Sequence, residues 1–119
     1  IERIADHAAR ISQTIPTMKY QSVPSNIIAL ITNMSTLSRE ICQEAMKALY
    51  QLNTKKANQS IAKITQIIEL EGRATKLILG TKLHITTTIG LRLILESIRR
   101  SAEYSADIAE ISINLAKKL

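Results

Sequence analysis

The chain has 119 residues and a formal net charge of +6, with no Trp or Phe, three Tyr, three Gly and two Pro. That length fits a single domain, whose core must be made of Ile, Leu, Ala and Met, and so little turn material argues against an all-β fold. One cysteine, Cys42, excludes an internal disulfide and suits a reducing compartment, and no apolar run approaches the roughly 18 residues of a membrane span.

Ile1, Ile4, Ala5, Ala8, Ile11 and Ile15 fall at threes and fours, which predicts an amphipathic helix over residues 1–15 that ends at Pro16. The stretch from Pro16 to Pro24 is polar, aperiodic and bounded by both prolines, so it reads as a linker. Ser25 or Asn26 can cap the second helix, which runs to about Asn53 with Ile27, Ile31, Met34, Ile41, Ala45, Leu49 and Leu52 as its apolar stripe. Asn53-Thr54 is a tight break, with Thr54 available as the next cap. A third helix then turns Ile61, Ile64, Ile68, Thr75 and Ile78 inward and stops near Gly80. The same heptad brings Glu71 to that inner face, where a carboxylate needs either a positive partner or an exposed end of the seam.

The segment His84-Ile85-Thr86-Thr87-Thr88-Ile89 is β-branched and reads as a strand by propensity alone. No second strand is available to pair with it, and Leu91, Leu95, Ile98, Ala102, Ser105 and Ala109 continue a helical stripe, so a fourth helix is expected from about 84 to 117. Short breaks between the second, third and fourth helices imply antiparallel neighbours. The fold expected is all-α, an antiparallel bundle of long helices, with residues 1–119 as one domain.

The basic residues are spread along the chain, with only short pairs at Lys55-Lys56, Arg99-Arg100 and Lys117-Lys118. Neither interleaved aromatics nor a compact recognition helix accompanies them, so they read as a solvated helix surface and not as a nucleic-acid face. Cys42, beside Ile41 and Ala45, reads as a small hydrophobe. His7 stands next to Asp6, but adjacent helical positions point about 100° apart and no Ser, Cys or Lys completes a nucleophilic set. His7 and His84 read as structural. A Gly-rich phosphate loop, H-E-x-x-H and C-x-x-C are all missing, and nothing in the chain supports an enzyme.

The most informative feature is an internal repeat. Ile1-Glu2-Arg3-Ile4-Ala5-Asp6-His7-Ala8-Ala9-Arg10-Ile11 returns as Ile98-Arg99-Arg100-Ser101-Ala102-Glu103-Tyr104-Ser105-Ala106-Asp107-Ile108. Ile, Arg, Ala, Ala and Ile recur in place, Asp6 is matched by Glu103 and Ala8 by Ser105. The small residues Ala5, Ala8, Ala9, Ala102, Ser105 and Ala106 predict a close approach of the two motif helices, side by side about an approximate two-fold axis.

The first copy strongly resembles the helix signature of the PhoU family of phosphate-uptake regulators. That resemblance implies two three-helix repeats, of which this chain would hold the last helix of the first and all of the second. The second copy, with Glu96-Ser97-Ile98-Arg99-Arg100 and Ala102-Glu103-Tyr104-Ser105-Ala106-Asp107-Ile108-Ala109-Glu110, looks like the version in archaeal relatives that join a PhoU domain to an AbrB-like DNA-binding domain. Because the chain opens in mid-motif, it is expected to be a fragment of a longer protein.

In some PhoU proteins acidic pairs four residues apart bind clusters of metal ions, and the resemblance implies Glu2, Asp6, Glu103 and Glu71 as ligands of a multinuclear iron or zinc centre. Residues at i and i+4 share a helix face, and carboxylates suit hard cations. Only Glu2/Asp6 keeps the acidic pair. The second copy has Arg99 before Glu103, and Glu71 is followed four positions later by Thr75. The favoured reading is therefore structural, with Asp6, Glu103, Arg3 and Arg100 forming interhelical ion pairs and no cofactor held.

By resemblance the function is non-enzymatic and regulatory, in the cytoplasm and without membrane insertion, adjusting phosphate uptake or its transcription. The partners implied are a phosphate transporter or its sensor kinase, with DNA reached only through a missing N-terminal domain. A homodimer or larger homo-oligomer is expected from the stripes Ile1-Ile4-Ile11 and Leu91-Leu95-Ile98. The alternatives are a metal-binding carboxylate bundle and a general helical oligomerisation module.

Overall fold

The computed structural model describes residues 2–14 and 23–119. Among them are five helices: α1 (Glu2–Thr14), α2 (Ser25–Gln51), α3 (Thr54–Ala62), α4 (Ile64–Leu79) and α5 (Ile85–Lys118). They form an antiparallel all-α bundle 54 Å long and only 24 × 15 Å across. Its length is set by α5, whose 34 residues span about 50 Å at 1.5 Å per residue. Residues 16–22 of the expected linker, together with Ile1 and Ile15, lie outside the described residues.

The axis of the bundle is the α2–α5 pair. Ile27, Leu30, Met34 and Ile41 of α2 meet Leu91, Ile94, Leu95, Ile98 and Ala102 of α5, and α4 closes this core with Ile67, Ala74 and Ile78. Towards the other end the packing narrows to alanines, with Ala45, Ala48, Ala57 and Ala109 in one cluster. Small side chains bring backbones near enough for hydroxyls to cross between helices. Ser112 Oγ donates to the Ala48 carbonyl at 2.8 Å, and Ser38 Oγ to that of Ile98 at 3.3 Å. All six α5 stripe residues expected from the sequence are buried, and the β-branched run opens that helix, with Thr87 fully enclosed.

Several local expectations are corrected. Asn53, not Thr54, caps α3: its side chain accepts a hydrogen bond from the Lys56 amide at 3.1 Å. Helix α2 starts behind Pro24 with no side-chain cap, and Asn26 Oδ1 accepts from the Ile27 amide within the first turn. The expected third helix is two, divided at Lys63, whose ammonium reaches Glu44 on α2. Beyond that break α4 touches both α2 and α5, so its buried arc centres on Ile67 and Ala74, and Ile68 is 53% exposed.

Among the described residues, helix α1 packs chiefly on α5. Its inner positions are His7 and Thr14, flanked by the half-buried Ile4 and Ile11, whereas Ala5, Ala8 and Ala9 are exposed. The motif helices are adjacent as expected, but on α1 the alanines do not make the contact. Leu91, Leu95 and Ile98 are interior and so not open to a second molecule. The large exposed apolar side chains instead include Ile68, Leu79, Ile85 and Ile89 on α4 and the start of α5. No helix among the described residues is long and apolar enough to cross a membrane.

Candidate functional site at the motif helices

On the seam between α4 and α5, the acidic position that required a partner has one. Arg99 Nε donates to Glu71 Oε2 at 3.0 Å, and its Nη1 donates to Glu103 Oε1 at 2.5 Å. Glu103 is one turn on from Arg99 along the same helix, the spacing that lets side chains meet. One turn from Glu71, Thr75 is engaged in the same way. Its hydroxyl donates to the Glu71 carbonyl at 2.7 Å and accepts from Arg92 Nη1 at 2.9 Å. Both positions that stand where the family pattern has paired acids are thus held by arginines of α5. Burial by itself would lower the Arg99 pKa; the hydrogen bond and charge of Glu71, joined by Glu103, outweigh it and raise the value.

The contact between α1 and α5 is of another kind. His7 and Tyr104 occupy the same position in the two motif copies, and their rings stack with centroids 5.8 Å apart and planes at 23°. Arg3 lies over the other partner of that stack, its guanidinium carbon 5.8 Å from the Tyr104 centroid. Its repeat equivalent, Arg100, pairs with Glu96 at 3.1 Å within α5. Contact between equivalent positions is what a two-fold relation between neighbouring copies requires.

His7 is 6% exposed, and its Nδ1 is enclosed without a hydrogen-bond partner. Burial pushes the His7 pKa below its ordinary value; Arg10 and Arg100 push it further, against the opposing pull of Asp6 and Glu96. Arg3, Asp6, His7, Arg10, Arg100 and Tyr104 together line a pocket of about 120 Å³.

The four carboxylates implied as metal ligands do not converge. Glu71 and Glu103 are gathered by Arg99, while Glu2 and Asp6 sit at exposed positions of α1. Among the described residues, no group of three or more His, Cys, Asp or Glu side chains is close enough to share an ion. A guanidinium between Glu71 and Glu103 takes up the negative charge that a cation would need, so this donor set does not fit a multinuclear centre.

The expected ion-pair scheme is also revised. Arg99, not Arg100, makes the bond between helices, and no ion pair among the described residues involves Asp6. Sequence reasoning missed Tyr104 as the partner of His7. The signal was their equivalence in the repeat.

Beside this contact a cleft of about 310 Å³ runs between α1, α2 and α5, with Ile4, Ile11, Cys42 and Ile98 in its walls. Cys42 is only partly buried there.

In comparison with known families, residues 31–112 fit the family model described as the PhoU domain. Neither the curated proteins nor the solved structures gave a match.

Proposed function

The chain belongs to the PhoU family, and we propose that it is a non-enzymatic regulatory domain that adjusts phosphate uptake, or the transcription that supports it, by binding another protein in the cytoplasm. The observation that carries this reading is the family match over residues 31–112, which takes in most of α2, the whole of α3 and α4, and most of α5. The partner class is a phosphate transporter or its sensor kinase, since family members interact with phosphate-transport proteins. Residues 1–119 act in this proposal as one domain. Ion pairs and a ring stack join its helix seams.

The test is genetic and physiological. Deleting the gene should change the rate of phosphate uptake, and the level of phosphate-responsive transcripts, in cells grown with ample phosphate. Restoring the gene should reverse both. Uptake and transcripts that stay at wild-type levels in the deletion strain would refute the proposal. Self-association is part of the same reading. Ile68, Leu79, Ile85 and Ile89 offer apolar surface, and sedimentation at micromolar concentration should show a dimer or larger species.

A further inference from the structure

We propose that the pocket between the two motif helices is a binding site for a small tetrahedral oxyanion of the phosphate or sulfate class. Three guanidinium-bearing residues, Arg3, Arg10 and Arg100, come from two helices to one concavity of about 120 Å³. A single water needs only about 10–15 Å³ of such space, so the concavity is roomy enough to admit a four-oxygen ion. Guanidinium groups are the donors best matched to phosphate and sulfate, because their forked N–H groups meet two oxygens at once.

The three arginines are not equivalent. Arg3 is placed by its ring contact with Tyr104, and Arg100 is tethered from behind by Glu96. Arg10 makes no ion pair among the described residues. Its charge is unspent. Asp6 is the one carboxylate in the lining and opposes an anion, while Glu96 offsets part of the charge of Arg100. With His7 neutral, the lining of three arginines and Asp6 remains positive.

His7 reports on this field. It is enclosed, stacked on Tyr104, and has an unpartnered Nδ1. Burial first, and then Arg10 and Arg100, disfavour its protonated form, while Asp6 and Glu96 favour it. Arg3 adds positive charge over the Tyr104 ring. An anion held between Arg10 and Arg100 cancels the two charges that act against the imidazolium, so it raises the His7 pKa. By linkage, binding then strengthens as the pH falls through that value. The site stands on this geometry, independently of the partner and of the regulatory role proposed above.

The experiment is a titration of the full chain followed by NMR of its two histidine rings. Inorganic phosphate and sulfate are added separately, against sodium chloride of equal ionic strength. Sulfate keeps its charge across the pH range and isolates the titration of His7. The proposal requires a saturable change at His7 with both oxyanions, a raised His7 pKa, and no oxyanion-specific change at His84. Arg10→Gln should weaken binding by about tenfold or more, the effect of losing a charge-assisted contact, and Arg3→Gln should act in the same direction. Asp6→Asn should tighten binding, which damage to the bundle would not do. Phosphoserine distinguishes the sources. Binding as tight as that of phosphate assigns a phosphate carried on another molecule, and weaker binding assigns the free ion. A response reproduced by chloride, one shared equally by His84, or wild-type affinity in the Arg10→Gln protein would overturn the site.

Discussion

Arg99 is the residue whose removal should be felt most among the polar groups of the bundle. The Glu71 side chain that it meets is 16% exposed, Arg99 itself 27% and Glu103 45%. Exposed ion pairs contribute about 0–1 kcal/mol, whereas removing one partner of a fully buried pair costs about 3–5 kcal/mol. The Glu71–Arg99 bond lies between these limits. Arg99→Met keeps much of the aliphatic stem and strands a carboxylate on the seam, and should cost about 2 kcal/mol, the worth of a hydrogen bond to a charged group. With a urea slope of about 2 kcal/mol per molar, the midpoint of unfolding should fall by about 1 M. Circular dichroism of the helices would follow it. Glu71→Leu alone leaves Arg99 paired with Glu103 and should cost less. The double variant Arg99→Met/Glu71→Leu removes both charges and should recover most of the loss, since apolar replacement of a paired site is often near neutral. The coupling in that cycle should be about 1 kcal/mol or more. A single Arg99→Met protein within about 0.5 kcal/mol of the parent, or strictly additive substitutions, would show that the bond is ornamental.

Three further outcomes are expected. Asn53→Ala should destabilise by about 1 kcal/mol through loss of the α3 cap, and Thr54→Ala by clearly less, measured by urea unfolding. Ile67→Ala should cost about 2–5 kcal/mol and Ile68→Ala less than about 1 kcal/mol; equal costs would contradict the observed facing of α4. In an oxyanion-free buffer, stability should fall with acid in the range set by His7. Its folded pKa lies below the ordinary value near 6.5, so the unfolded chain binds the proton first. The contribution is full above about pH 6.5 and is lost as the pH falls towards the folded value, with a slope of at most about 1.4 kcal/mol per pH unit. Thermal melts of His7→Gln against the parent should show a shallower slope in the variant across that interval.

The sequence revealed the bundle most fully along α5, the helix on which the other four pack. Its stripe Leu91, Leu95, Ile98, Ala102, Ser105 and Ala109 is buried as the spacing demands. Periodicity was also sufficient to override the β propensity of Thr86-Thr87-Thr88, since an isolated strand has nowhere to place its backbone hydrogen bonds. It misled on α4 and on α1. In α4 the arc between α2 and α5 shifted the buried positions from Ile68 to Ile67 and Ala74. In α1 the apolar count favoured the alanines, yet the helix turned His7 inward. A single stacked partner on α5 outweighed several methyl groups, because an aromatic contact buries more surface than an alanine and adds a directional attraction.

The candidate site was legible as a set of positions and not as a set of contacts. The repeat marked both motif helices, and the placement of Glu71 on an inner face demanded a cation; the structure supplies Arg99. What a linear reading could not contain is the consequence of one charge exchange between copies. Where the first copy has Glu2, the second has Arg99. That exchange turns a pair of like charges into an i, i+4 ion pair with Glu103, and the same guanidinium then reaches Glu71 on α4. Both acids are committed to Arg99, and through Glu71 that guanidinium ties α4 to α5. The first copy has undergone no such exchange, so Glu2 and Asp6 remain at exposed positions, while Arg3 and Arg10 face the pocket shared with Arg100. One motif, used twice, therefore yields two different electrostatic outcomes. In the second copy opposite charges close a seam. In the meeting of the two copies, arginines are left in excess over acids beside a buried histidine, and an excess of that sign around one shared concavity is a reason for an anion to bind.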